Sequence, residues 1–281
     1  MRNFLKTHSA KKLNSPMRIQ EYAVGIFMEC PTKSSLKKAL KKKLVFVNGK
    51  VASSATFIYG GEEIGLISDP NMSKAFKKFH LELEVIFEDD YLLAIHKPAG
   101  LRVSGNHFKT VKNALPQGYQ PVHRLDYPTT GLLLIGKTSE SIRVLNKMFE
   151  EKKFKKSYYA IAIGNLDQEG DFDQDIDDKG ARTHYIKLSS VESDRFGELS
   201  LLQVVPETGR RHQIRKHLAQ NGHPILGDKN YSSEGLLLKG KGLYLHADSL
   251  SFIHPFTQEK MTLTDPLPQR FRKIFPLIES T

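Results

Sequence analysis

The chain is 281 residues long, enough for one domain of roughly 200 residues and a smaller second domain. Hydrophobic residues make up 39% of it, and no apolar run approaches the ~20 residues that a membrane-spanning helix needs. Cys30 is the only cysteine, which excludes an internal disulfide and any multi-cysteine zinc or iron–sulfur site. Residues 1–18 are basic without an apolar core, unlike a secretory signal. We therefore expect a cytoplasmic protein that does not bind membranes.

The charge balance bears on what kind of molecule the protein binds. Lys and Arg number 42 against 31 Asp and Glu, a net charge of +11 at pH 7. Such a field attracts polyanions, chiefly nucleic acid or an anionic membrane surface. A basic enzyme without a polyanionic partner would have the same balance, so charge alone does not decide.

Composition divides the chain into four segments. Residues 1–17 are basic and polar without a face that could be buried, and we predict a flexible arm there. Residues 18–68 contain one helical pattern and several short apolar strands, typical of a small α/β domain. Residues 69–80 hold proline, asparagine and lysines, and we predict a linker. A larger domain follows over residues 81–281.

A short amphipathic helix is the clearest element of the small domain. Ser34 or Ser35 can cap it. Its apolar positions recur every four residues, at Leu36, Leu40 and Leu44, and lysines fill most of the others. The dipeptide Asn48-Gly49 follows an apolar strand over residues 45–47 and predicts a hairpin turn.

The larger domain alternates strands and helices without regular βαβ spacing. We predict strands over residues 83–87, 91–95, 132–135, 159–163 and 199–205, helices over 142–149 and 211–220, and an acidic loop over 171–178. This order predicts an α+β domain with a largely antiparallel sheet.

The densest polar segment runs from His123 to Leu134 and reads HRLDYPTTGLLL. Its charged residues precede an apolar strand, with a Pro-Thr-Thr-Gly turn between them. Asp126 therefore lies on a loop braced by the sheet, a frequent position for catalytic groups. Alternatively, Asp126 caps the turn and Arg124 is its surface ion-pair partner.

A second dense segment, TGRRHQIRKHL over residues 208–218, starts a predicted helix with basic groups. Arg211 and Arg215 share one helix face, and basic groups there suit phosphate or carboxylate recognition. His212 and His217 lie roughly 140° apart around a helix, which is unsuitable for one metal ion. We therefore predict no metal site.

Lysines alternate with aromatic residues over residues 152–160, KKFKKSYYA. Cations suit phosphates and rings suit base stacking, so this pattern favours RNA binding. A strand with a solvated lysine face and a buried tyrosine would show the same pattern. No Walker loop, no GxGxxG before a helix and no GxSxG occurs in the sequence, and we predict no nucleotide cofactor.

Together these segments resemble the RluA-type family of pseudouridine synthases, whose signature is H-R-L-D-x-x-T-[ST]-G-L-L-L. Thr130 stands where that family usually has serine. Three further blocks match: KPAGL over residues 97–101, Lys156-x-Tyr158-x-Ala160, and residues 208–228. The resemblance covers about residues 83–275. It implies an α+β pseudouridine synthase fold, with a mixed, largely antiparallel sheet flanked by helices.

Residues 18–68 resemble the small αL-type RNA-binding domain shared by a ribosomal protein and tyrosyl-tRNA synthetases. The match rests on the lysine-rich helix, on the segment VNGK over residues 47–50, and on Gly61-Glu62, where the domain usually has Gly-Asp. It implies that lysines of the helix contact RNA: Lys37, Lys38, Lys41 and Lys42.

The resemblance also implies a mechanism without a cofactor. Asp126 would attack either the ribose anomeric carbon or carbon six of the uracil, or it would support loss of a ribose proton to give a glycal. Tyr158 would stack on the flipped base and move protons. Arg215 would pair with Asp126 and keep its carboxylate ionised.

Other polar residues of the matching blocks are expected to contact the RNA: His123, Arg124, Lys156, Arg210 and His212. Large-subunit ribosomal RNA is the expected target and transfer RNA the alternative, and we expect a monomer. Two functions of other classes compete with this one. A non-catalytic ribosome-assembly protein would not need Asp126, and an N-glycosidase would release free uracil.

Overall fold

The computed structural model describes residues 4–13, 15–27, 29–30, 33–67, 81–105, 107–238, 240 and 242–276. The chain divides into an N-terminal unit, residues 1–78, and a C-terminal unit, residues 79–281. The predicted linker, residues 69–80, lies outside the described residues. The boundary between the two units, at residues 78 and 79, falls within its range.

The N-terminal unit combines short strands with two helices in its described part. These are β1 (Phe4–Ser9), β2 (Met17–Arg18), α1 (Ile19–Tyr22), α2 (Lys33–Lys41), β3 (Val45–Val47), β4 (Lys50–Val51), β5 (Phe57–Ile58) and β6 (Glu63–Ile67). Four strands form a sheet in the order β1-β6-β3-β4, and β2 pairs with β5.

Helix α2 and the turn after β3 follow the predicted pattern. The helix buries Leu36, Ala39 and Leu40, so its lysines are left on the exposed face. It begins at Lys33, ahead of the predicted cap, and Leu44 lies beyond its end. Asn48 and Gly49 both have positive φ, 47° and 75°, as a tight hairpin turn between β3 and β4 requires.

The N-terminal segment departs from the prediction. Residues 4–9 form β1, which pairs antiparallel with β6, so a flexible arm over residues 1–17 is wrong for this part of it. Pairing to an open sheet edge uses main-chain groups, which need no apolar pattern in the added strand. Beyond the strand, the amide of Lys11 donates to the Tyr22 hydroxyl at 2.8 Å. Polar composition therefore concealed an edge strand.

The C-terminal unit is built on one large sheet. Its described elements are β7 (Val85–Glu88), β8 (Leu92–Lys97), α3 (Val111–Ala114), β9 (Gln120–Pro121), β10 (Thr130–Gly136), α4 (Ser139–Glu150), β11 (Lys155–Ile163), β12 (Glu169–Phe172), β13 (Thr183–Ser193), β14 (Gly197–Pro206), α5 (Gln213–Gln220), β15 (Leu245–Ile253), β16 (Lys260–Thr264) and α6 (Gln269–Arg272).

The sheet is mixed and largely antiparallel, as predicted. Its main path is β12-β13-β14-β11-β15-β10-β8-β7, with β16 beside β15 and β9 beside β10. Only the pair β10–β15 is parallel in the described residues. The acidic segment is a loop except for its first two residues, Asp171 and Phe172, which end β12.

Helices α4 and α5 cover the sheet with apolar faces. Leu145 of α4 shares a buried cluster with Leu132 and Leu250 of the sheet. Leu218 of α5 belongs to another cluster, with Ile161 of the central strand β11. No helix of the described residues is both long enough and apolar enough to cross a membrane.

The parallel contact brings three strands together at one level. Gly131 pairs with Ala247, and Ala247 pairs with Tyr158 on the other side of β15. A Cβ on Gly131 would lie 2.3 Å from the carbonyl oxygen of Ala247, and the φ of Gly131 is +113°. Only glycine allows this approach. This row of paired residues across β10, β15 and β11 places Tyr158 near the loop that precedes β10.

Candidate active site

Asp126 lies on the loop between β9 and β10, fixed at both sides. Its carbonyl accepts a hydrogen bond from the Thr129 amide at 3.1 Å, which closes the turn. The hydroxyl of the next residue, Thr130, lies 2.9 Å from Nδ1 of buried His246. Leu125 is buried in the core, whereas the Asp126 side chain remains 14% exposed. The loop therefore presents one carboxylate at a rigid position.

Helix α5 supplies the cation that pairs with this carboxylate. Arg215 Nη1 donates to Asp126 Oδ2 at 3.1 Å. Its other nitrogens donate to Asp228, Nε to Oδ2 at 2.7 Å and Nη2 to Oδ1 at 2.8 Å. Fork-to-fork pairing of this kind fixes the plane of the guanidinium. Asp228 thus orients Arg215, and Arg215 holds Asp126.

His212 approaches the other oxygen of Asp126. It precedes α5 with a left-handed backbone, φ +57°, and its Nε2 lies 3.6 Å from Asp126 Oδ1. Nδ1 lies 2.7 Å from the Tyr231 hydroxyl. Burial lowers the pKa of His212, against the opposing effect of Asp126. A neutral ring therefore borders the carboxylate.

Tyr158 lies at the level of the loop on the central strand β11. Burial raises the pKa of its phenol, and the nearby carboxylates of Asp126 and Asp248 raise it further. The phenol therefore keeps its proton at neutral pH. It lines the same cavity as Asp126 and can present a donor and an aromatic face there.

This cavity has a volume of about 470 Å³ and is the candidate catalytic cavity. Asp126, Tyr158 and Arg215 all line it, and so do the five residues expected to contact RNA: His123, Arg124, Lys156, Arg210 and His212. The structure thus brings the predicted residues of the C-terminal unit to one place. A cationic rim around a carboxylate suits an anionic substrate with an electrophilic carbon.

The comparisons with known proteins agree with this geometry. The profile described as RNA pseudouridylate synthase matches residues 91–220. A "tRNA pseudouridine synthase C" of Pasteurella multocida is 34% identical over an alignment of 239 positions, which covers 71% of this chain and 97% of that protein. The chain belongs to the RNA pseudouridylate synthase family. The predicted family and the prediction of an isomerase acting on RNA are thereby confirmed.

Another family member and two solved structures extend the match. A "Ribosomal large subunit pseudouridine synthase D" of Pasteurella multocida is 34% identical over an alignment of 288 positions, which covers 89% of this chain and 87% of that protein. "Human RNA Pseudouridylate Synthase Domain Containing 4" has a TM-score of 0.56 at 25% identity over 72% of this chain and 93% of that chain. Domain Containing 1 has a TM-score of 0.58 at 21% identity over 66% and 83%. They confirm the predicted fold.

Two of the expected RNA contacts of this family member have partners within the protein. Lys156 Nζ donates to the Thr208 carbonyl at 3.1 Å, and burial lowers its pKa. Arg210 Nε donates to the Gly180 carbonyl at 3.2 Å. Arg124 is exposed. Arg124 is therefore the more available cation of the three, and the assignments to RNA remain predictions.

His123 has a structural role that the sequence did not indicate. Its Nε2 accepts a hydrogen bond from the Leu134 amide at 2.9 Å, and its ring stacks on Phe149 at 4.9 Å between centroids. Burial, aided by the charge of Lys156, lowers the pKa of His123 to about 3. The ring is a neutral acceptor that joins the loop to β10, so it offers a phosphate no cation.

Sequence reasoning missed two residues of the site. Asp228 closes the matching block over residues 208–228, but nothing in its position indicated that it orients Arg215. Lys97 is fully buried, and its Nζ donates to the carbonyls of Pro98 and Leu101, both at 2.9 Å. A third carbonyl, of Tyr127 beside Asp126, lies 3.5 Å away. The matching KPAGL block was the available signal for Lys97.

Proposed function

We propose that this family member isomerises specific uridines of large-subunit ribosomal RNA to pseudouridine, with Asp126 as the nucleophile. The Arg215–Asp126 contact of 3.1 Å, inside the cavity that Tyr158 also lines, carries the proposal. An arginine at this distance favours the ionised carboxylate. We also propose that the protein acts in the cytoplasm as a monomer.

The reaction breaks the glycosidic bond, turns the uracil and rejoins it through carbon five. In a route through the sugar, an Asp126 oxygen bonds the anomeric carbon while the bond to nitrogen breaks, and uracil leaves as an anion. In a route through the base, a carboxylate oxygen bonds carbon six, the electrons of the carbon five–carbon six double bond move onto the carbon-four carbonyl, and the glycosidic bond breaks afterwards. In a third route, the carboxylate accepts the proton on carbon two of the ribose while uracil leaves as an anion, and a glycal forms. Each route uses an ionised carboxylate, and Tyr158, which keeps its proton, is placed to donate or relay one.

The share of the chain that each relative matches supports ribosomal RNA as the target. The ribosomal synthase matches 89% of the chain, more than the C-terminal unit alone contains. The N-terminal unit presents Lys37, Lys38 and Lys41 on the exposed face of α2 and Lys42 in the turn directly after it, and we propose that these four lysines contact RNA phosphates. A transfer-RNA target is the alternative, because the equally identical tRNA synthase is matched over 97% of its length.

Mapping pseudouridines in total RNA tests both the activity and the target. RNA from a strain that lacks the protein should lose one or a few pseudouridines found in the parent, and they should lie in large-subunit ribosomal RNA. The wild-type gene should restore them, and Asp126→Asn should not. Asp194→Asn, at an exposed hairpin position, is the matched control and should restore them.

Four results would contradict parts of the proposal. Losses confined to transfer RNA would overturn the ribosomal target, and unchanged RNA would overturn the activity. Restoration by Asp126→Asn would overturn the nucleophile. Purified protein should leave the uracil attached to the RNA, since free uracil would indicate an N-glycosidase.

A further inference from the structure

A second cavity lies on the other side of Asp126. Its volume is about 680 Å³, within the roughly 300–1,000 Å³ typical of small-ligand sites. Asp126, Arg124 and Arg215 line both cavities, so the two share a wall at the catalytic carboxylate. A nucleotide bonded to one in the catalytic cavity can therefore extend past Asp126 into the second.

Tyr127 forms an aromatic platform in this second cavity. The residue is 52% exposed, although its backbone is held by hydrogen bonds. The Tyr127 carbonyl accepts from the Gly100 amide at 2.9 Å and lies 3.5 Å from Lys97 Nζ. Pro128 follows and restricts the backbone of Tyr127 further. Because this backbone is already held, little backbone entropy is lost when a base stacks on the ring.

Cations surround the platform. The Arg102 guanidinium lies over the Tyr127 ring, 5.3 Å from its centroid. The exposed basic side chains that line this cavity are Arg102, Arg124, Arg211 and Lys229. Asp126 and Asp228, the acidic residues of the lining, are paired with Arg215. The unneutralised charge of this cavity is therefore positive.

We propose that the second cavity binds the nucleotide adjacent to the target uridine, with its base stacked on Tyr127 and its phosphate beside Arg102. The inference rests on the proposed function, because it needs a uridine in the catalytic cavity. A stacking ring, a cation beside it and a shared wall at Asp126 are what a continuous RNA strand requires here. The neighbouring base thus contributes to the choice of uridine.

The test is a double-mutant cycle in which one change is made in the protein and the other in the RNA. The substrates are an oligonucleotide that carries the mapped uridine and two versions with an abasic residue on its 5′ or its 3′ side. Tyr127→Ala should lower kcat/KM on the intact oligonucleotide by roughly 5- to 150-fold, the range for one stacked base. One of the abasic versions should cost the wild type a similar factor. Tyr127→Ala should then lose nothing further on that RNA.

Two control variants separate stacking from general damage. Tyr127→Phe keeps the ring and should recover most of the loss, while Ile253→Ala removes an exposed apolar side chain elsewhere and should act as wild type.

Independent losses, in which the two factors multiply on both abasic versions, would overturn the inference but leave the proposed function standing. A full effect of Tyr127→Ala that Tyr127→Phe does not relieve would also overturn it. If the strain that lacks the protein loses no pseudouridine, the proposed function fails and the inference with it.

Discussion

Arg215 donates two hydrogen bonds to Asp228 and one to Asp126, so its stronger partner is Asp228 and not the proposed nucleophile. The Asp228 side chain is fully buried, whereas that of Asp126 keeps 14% of its exposure. Asp228 also accepts from the Asn230 amide at 2.9 Å. The pair Arg215–Asp228 is therefore a fixed part of the fold, and the orientation of Asp126 depends on it.

Arg215→Met should destabilise the protein chiefly through Asp228. Removing one partner of a buried ion pair costs about 3–5 kcal/mol, because the other charge is left unpaired. Adding Asp228→Asn should recover much of this free energy of unfolding, and adding Asp126→Asn should recover less. Urea unfolding of the two double variants measures the difference. Equal recovery in both would show that Asp228 is not the dominant partner.

Tyr158→Phe should slow pseudouridine formation while RNA binding is retained. The phenol keeps its proton in the folded protein, and general acid–base assistance typically contributes about 10²–10⁴-fold. Single-turnover rates and equilibrium binding on the same RNA separate the two effects. Tyr159→Phe, the next residue on β11, is the control and should react at the wild-type rate. An unchanged rate for Tyr158→Phe would leave its ring with a stacking role alone.

Lys97→Met should loosen the loop that carries Asp126. The variant loses hydrogen bonds to the carbonyls of Pro98 and Tyr127 and to the buried carbonyl of Leu101, and a buried carbonyl left unsatisfied costs about 1–3 kcal/mol. Because Tyr127 follows Asp126, kcat should fall as well. Lys112→Met, at an exposed position of α3, serves as the control. Wild-type kcat in a destabilised Lys97→Met would contradict a link between this lysine and the position of Asp126.

His123 predicts a specific acid sensitivity. Its pKa is lowered from the ordinary 6.5 to about 3, mainly by burial. Below about pH 6.5, His123 is protonated in the unfolded chain but stays neutral in the folded protein. The free energy of unfolding therefore decreases as the pH falls towards 3. His123→Gln should flatten this decrease in urea titrations across that range. His107→Gln, on an exposed loop, should keep the wild-type slope; equal slopes for both variants would rule out the buried-acceptor role of His123.

The lysine face of α2 predicts a salt dependence. Replacing Lys37, Lys38, Lys41 and Lys42 by glutamine should weaken RNA binding and flatten log affinity against log salt by roughly 0.7–0.9 per lost phosphate contact. The same four positions changed to arginine keep the charge and should keep the slope. An unchanged slope in the glutamine variant would show that this face does not touch the RNA.

Local patterns predicted the parts of the fold that depend on neighbours in the sequence. The hairpin at Asn48-Gly49 and the loop that carries Asp126 follow from turn residues beside apolar strands. Strand β15 was not predicted, because its residues LHADSLSFI mix polar and apolar types. Its place between β10 and β11 depends on contacts such as Thr130 with His246, which are 116 positions apart. Long-range pairing of this kind leaves no periodic signal.

The residues of the candidate site also fall into two groups, those that the sequence predicted and those that it did not. Asp126, Tyr158 and Arg215 could be named from motifs, and the structure brings them to one cavity. Asp228 and Lys97 also lie in matching blocks, but their roles could not be predicted, because a buried charge looks like a surface charge in a sequence. Only the fold reveals which of the many lysines and aspartates are enclosed.

The insertion of β15 has a consequence for biosynthesis. Asp126 belongs to the half-sheet β7-β8-β10, whereas Tyr158 belongs to β11-β14, and β15 lies between these halves. Until residues 245–253 have left the ribosome, β11 exposes one unpaired edge and β10 lacks its partner at Thr130 and Gly131, and such edges favour association with other chains. The nascent chain then holds Asp126 and Tyr158 on two pieces of sheet that β15 has not yet joined. Asp126 and Tyr158 therefore come together in one site only after residues 245–253 have been made and have docked between β10 and β11.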